Sequence, residues 1–121
     1  MLNNSKIQKI FSAPDVKHGL SLFNAEEINA IEKLIIEQDG KYFIKCQIKD
    51  RYKVAKPEEV VRQLWIHRLL AEYGYPKERI DVEKVIYFGS RVEPGAADIV
   101  VYHEDLRHYY ILFEVKRPSR I

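Results

Sequence analysis

Hydrophobic positions recur along this chain at two different periods, and the change of period marks its elements. Ile28, Ile31, Leu34 and Ile35 make an apolar stripe at helical spacing. Asn24 precedes them as a helix N-cap, and Glu27 three residues on completes a capping box. Asp39-Gly40 reads as the end of that helix, since it supplies a residue that tolerates left-handed backbone. From Tyr42 the period falls to two. Tyr42, Ile44, Cys46 and Ile48 alternate with Lys41, Phe43, Lys45 and Gln47, which predicts a strand with one face on the core. Residues 49–56 read as a basic connector. A second helix is predicted from Pro57, which suits the first helical position because its missing N–H costs nothing there. It runs to about Tyr73 and stops at Gly74, with Val61, Leu64, Trp65 and Leu69 as its buried stripe. Tyr75-Pro76 is a turn. Residues 81–88, 97–103 and 109–116 are strand candidates, the last two joined by a hairpin loop over 104–108. Residues 1–23 carry no clear period and read as a weakly determined lead-in to a single domain over 24–121. The order predicts an α+β fold, a mostly antiparallel mixed sheet flanked by helices.

Composition narrows the class. The chain has 121 residues, one domain's worth, with 46% hydrophobic and 31% charged residues. That excludes a disordered chain, and no apolar run is long enough to span a membrane. Lys plus Arg is 20 against 18 for Asp plus Glu, so the net charge of +2 does not by itself indicate a nucleic-acid partner. The single cysteine, Cys46, allows no internal disulfide and fits a reducing compartment, so a cytoplasmic location is expected. His18, His67, His103 and His108 show no zinc spacing with Cys46.

The chemistry gathers on the last two strands. Glu114 and Lys116 share one face of the final strand. A loop over 104–108 pairs His103 with Tyr109, and counting back from there pairs Asp98 with Glu114. Two carboxylates would then stand opposite one another with Cβ atoms about 4.5–5.5 Å apart. Such a pair calls for a cation. Lys116 is one candidate and a divalent metal is the other, since carboxylate oxygens with water and phosphate suit Mg²⁺, and Mn²⁺ accepts the same ligands. The plain alternative is a surface ion pair worth under about 1 kcal/mol.

Four blocks in order sharpen this reading: LysProGluGluValValArgGln (56–63), TyrGlyTyrPro (73–76), AlaAspIleValValTyr (97–102) and GluValLysArgPro (114–118). Together they resemble the N-terminal nuclease domain of the R subunit of type I restriction–modification enzymes, within the PD-(D/E)xK nuclease superfamily. The resemblance implies a restriction-endonuclease-like core, present in part, and Mg²⁺-dependent hydrolysis of DNA phosphodiesters in defence against foreign DNA. It makes Asp98 and Glu114 the metal-binding carboxylates and Lys116 the catalytic lysine. It also implies a supplementary helix-borne acid, either Glu58 or Glu59. Glu58 is preferred because helical spacing sets it beside Val61 and Trp65, and therefore toward the sheet. The alternative is that both acids simply stabilise the helix dipole.

In that family a helix carrying a glutamine, and then further sheet, follow the Glu-x-Lys strand. Here five residues follow Lys116. The chain is therefore expected to be part of a larger subunit or a short form, with a sheet edge open to self-association. Expected partners are double-stranded DNA and the modification and specificity subunits of a type I complex. Lys116-Arg117, Arg62 and Lys56 are candidates for contacting DNA phosphates. No phosphate-binding Gly-Lys-Ser/Thr loop occurs, so any use of ATP would need domains outside this chain. The competing functional class is a non-catalytic nuclease-like module for DNA binding or subunit assembly.

Overall fold

A computed structural model describes residues 5–11, 20–86, 95–106 and 108–113. Helix α1 (Ser5–Ile10) and helix α2 (Ala25–Glu32) lead into a hairpin of β1 (Ile35–Gln38) and β2 (Lys41–Lys45), then β3 (Tyr52–Val54). Helix α3 (Pro57–Ala71) follows. A 3₁₀ turn (Lys77–Arg79) then leads to β4 (Ile80–Ile86), β5 (Gly95–Tyr102) and β6 (Tyr109–Phe113). The described strands form two three-stranded antiparallel sheets, ordered β1-β2-β3 and β4-β5-β6. This is an α+β fold, as the sequence pattern predicts.

Helix α2 starts as predicted. The Asn24 side chain accepts the Glu27 N–H, and Glu27 accepts the Asn24 N–H in return. It ends at Glu32, however, seven residues before Asp39-Gly40. Asp39 and Gly40 have φ of 54° and 78° and form the two-residue loop between Gln38 and Lys41. Positive φ at both positions is what a type I′ hairpin turn requires, and its twist matches the strands it joins. The pair therefore closes a β-hairpin rather than capping a helix, and Ile35 is a strand residue facing the core. The expected basic connector is also structured. Asp50, at φ 56°, turns the chain so that β3 pairs back on β2, with Ile44 opposite Lys53.

Helix α3 begins with Pro57 at the first position and ends just before Gly74, which takes φ 71°. It separates two apolar cores. Val60, Val61 and Leu64 pack with Ile31, Ile35, Ile44 and Phe23, while Ile66 and Leu69 pack with Ile80, Val82, Ile99 and Val101. Trp65 is only partly buried but touches both cores, edge-on to Phe23 at 5.2 Å and stacked near Phe113 at 6.5 Å. Helix α1 belongs to the first core. Ile7 and Phe11 are fully buried, and the buried Glu32 carboxylate accepts the Ile7 N–H at 3.0 Å, a favourable place for negative charge at a helix N-terminus.

In the second sheet, Ile99, Val100 and Val101 pair with Phe113, Leu112 and Ile111. That is the register inferred from the sequence. At the loop end a bulge shifts it, so Tyr109 stands opposite Tyr102 and not His103. An extra residue on one strand is accommodated in this way without turning the apolar faces over.

Candidate functional site

Asp98 is held on β5 between the buried residues Ala97 and Ile99. Its own side chain is 29% exposed and opens on a cleft of about 650 Å³. The first turns of α3 bring Glu58, Glu59 and Arg62 to that cleft, and β3 with its flanks brings Arg51, Lys53 and Lys56. Phe43, Tyr52 and Val54 form an apolar side of the same cleft. The predicted helix acids, the predicted cations Arg62 and Lys56, and Asp98 are thus gathered in one place. Glu114, Lys116 and Arg117 lie outside the described residues, as does the pairing of Asp98 with Glu114.

Arg62 is the hub. Its side chain is 14% exposed, with Nη2 at 3.4 Å from Asp98 Oδ1, and Nη1 at 3.7 Å from Glu59 and 3.5 Å from Glu83. Its Nε and Nη1 are buried and make no hydrogen bond. A guanidinium suits such a crowded position because it is always charged and presents several donors in a fixed fork.

The two helix acids differ in a way that reverses the orientation argument. Glu59 is the buried one, at 7% exposure. Its Oε2 accepts from Gln63 Nε2 at 3.1 Å, and Lys53 Nζ is 3.6 Å from Oε1. Gln63 is fully buried and accepts the Gln47 N–H at 3.1 Å, so a polar chain ties the β2–β3 connection to the helix. The inward side of α3 is centred on Val60 and Leu64 rather than on Trp65, and this turns Glu59 inward. Glu58 is less deeply placed and lines the cleft.

Glu83 is the residue that sequence reasoning misses. The β4–β5 ladder pairs Val82 with Ile99 and Lys84 with Ala97 and is interrupted between them, at Glu83 and Asp98. Glu83 has φ 54°, a left-handed conformation in mid-strand that costs a non-glycine residue about 1–3 kcal/mol. Lys53, Arg51 and Arg62 all reach its Oε1, the last two at 3.5 Å. The Lys53 hydrogen bond holds the Glu83 carboxyl below its ordinary range against the opposing effect of burial. The sequence shows a local irregularity at this point but not the cations that meet there. Alternation runs through Ile80 and Val82 and then fails, and the irregularity falls at Glu83.

Among the described residues, no three His, Cys, Asp or Glu side chains are grouped so as to hold a metal ion. No described helix is long and apolar enough to cross a membrane. Searches of curated proteins and of solved structures return no match. The family model for the type I restriction enzyme R protein N terminus matches residues 57–121, from the first residue of α3 onward. That span contains Glu58, Glu59, Arg62, Glu83 and Asp98 and covers more than half of the chain. The chain belongs to the family of type I restriction enzyme R protein N termini, which fits a role in a restriction system.

Proposed function

We propose that this chain is a metal-dependent endonuclease module that hydrolyses DNA phosphodiester bonds, acting with modification and specificity subunits in a type I complex. The observation that carries this reading is the convergence of Asp98 on β5 with the first turn of α3 on one cleft. The family match supplies the biological setting. Asp98 and Glu58 offer hard oxygen donors to the same cleft, a donor set that fits Mg²⁺ or Mn²⁺. In this reading Asp98, Glu58 and Glu114 hold the ion. The pairing of Glu114 with Asp98 expected from the sequence would add a third carboxylate to this donor set. The bound ion would supply charge stabilisation at the phosphoryl oxygens and acidify a water molecule.

The remaining steps belong to the chain itself. Lys116 orients the attacking water and offsets charge on the phosphate as it becomes pentavalent. Arg62, with Nη2 at 3.4 Å from Asp98 Oδ1, orients the Asp98 carboxylate. Lys56 and Arg117 contact backbone phosphates, which gives affinity with little sequence preference.

A specific observation favours the non-catalytic alternative. Asp98, Glu59 and Glu83 each already face Arg62, so the cleft is neutralised from within by the protein's own cations. Metal binding separates the two readings. Calorimetric titration of the chain with Mn²⁺ is expected to show saturable binding that Asp98→Ala and Glu114→Ala abolish. Absence of binding in the parent chain would leave the DNA-binding or assembly module in front.

A further inference from the structure

Three cations from three places in the chain meet at one oxygen. Arg51 precedes β3, Lys53 lies on it, and Arg62 lies on α3; all approach Glu83 Oε1. Convergence of this kind is what an anion-binding cradle looks like, and here a carboxylate of the same chain fills it. Two further observations set it apart from an ordinary ion pair. Arg62 keeps two buried donors, Nε and Nη1, that make no hydrogen bond, although Glu59, Glu83 and Asp98 all lie within ion-pair distance of its guanidinium. Glu83 also reaches it from a left-handed backbone in mid-strand, a conformation that is unfavourable for a glutamate. A phosphate group has more acceptor oxygens than a carboxylate and takes guanidinium forks well. Asp98 Oδ1 lies 3.4 Å from the same guanidinium, so an anion seated in the cradle would lie beside the proposed metal ligand.

The geometry points to a backbone-phosphate site for DNA, formed by Arg51, Lys53 and Arg62, which Glu83 occupies until DNA displaces it. This rests on the reading of the cleft as a DNA site and deepens it by naming the residues that take the phosphate. Glu83 is then a competitor of the substrate, and its removal should tighten binding. If Glu83 instead only held the cations in place, its removal would loosen binding.

The test is fluorescence anisotropy of the chain with a short labelled DNA duplex at low salt in EDTA, where no cleavage occurs. Glu83→Gln is expected to bind several-fold tighter, up to about tenfold. Glu37→Gln, the same charge change on β1, serves as the control for net charge alone and should have a smaller effect. Arg51→Gln with Lys53→Gln should weaken binding and lower the salt slope by about one per cation removed. Circular dichroism melting reports whether each variant folds. Unchanged or weaker binding in folded Glu83→Gln, or an equal gain in Glu37→Gln, would overturn the proposal. Should Glu83→Gln not fold, full retention of binding by the Arg51/Lys53 double variant would overturn it instead. A chain that nicks no DNA yet shows the Glu83→Gln gain would sink the nuclease reading and leave the cradle standing.

Discussion

Asp98 and Glu83 share one guanidinium: Arg62 Nη2 lies 3.4 Å from Asp98 Oδ1, and Arg62 Nη1 lies 3.5 Å from Glu83 Oε1. Two carboxylates gathered in one place repel each other, so this arrangement depends on the cation they share. Arg62→Gln removes that cation and leaves the buried Glu59 with Gln63 and a longer contact to Lys53. The expected cost is about 1–3 kcal/mol of folding free energy, measurable by urea unfolding. Arg62→Lys should recover only part of it, because one ammonium cannot replace the fork. A loss below about 0.5 kcal/mol would mean that Arg62 is not the hub of the cleft.

Acid stability should turn on Glu27. Arg68 Nε and Nη2 each donate to its carboxylate at 2.8 Å, and Arg68 Nη2 also donates to the Leu22 carbonyl at 2.7 Å. The Arg68 hydrogen bonds hold the Glu27 carboxyl below its ordinary value of 4.5. A carboxyl whose pKa is depressed in the folded state contributes stability that is fully present above the unfolded value. That contribution is lost as pH falls through the folded value. Unfolding free energy should therefore decline from about pH 4.5 downward, and Glu27→Gln should flatten that limb while lowering stability near neutrality. Equal acid limbs in the two proteins would remove Glu27 from the explanation.

The β1–β2 turn gives a cleaner backbone test. Gly40 sits at φ 78°, and a Cβ added there would meet nothing within 4 Å. The penalty for Gly40→Ala is therefore purely conformational, about 1 kcal/mol, read as a drop in thermal midpoint. A neutral substitution would mean that the turn readily takes another form.

Much of this fold is legible in the sequence because local chemistry decides it. The Asn24–Glu27 capping box, Pro57 at the head of α3 and the stop at Gly74 each reflect a backbone requirement that few residues meet. The register at Ile99–Val101 is the one that counting back from the hairpin loop gives. What escapes depends on tertiary context. Asp39-Gly40 satisfies both a helix end and a hairpin turn, and only the pairing of Ile35–Gln38 with β2 decides between them. Glu59 and Gln63 look like surface residues, but α3 lies between two cores and the Gln47 contact buries them. Glu83 matters because of the cations that the β2–β3 connection brings across to it, and no local pattern encodes that meeting.

The most direct test of the central proposal is nicking of supercoiled plasmid by the chain in Mg²⁺. Asp98→Asn and Lys116→Ala are the comparisons, and each variant is first shown to be folded by circular dichroism. The expected result is conversion to open circles that EDTA stops and that falls at least about a hundredfold in either variant, the scale on which loss of an essential catalytic group is felt. Nicking that persists in both variants, or that proceeds without a divalent ion, would contradict a metal-dependent site built on Asp98.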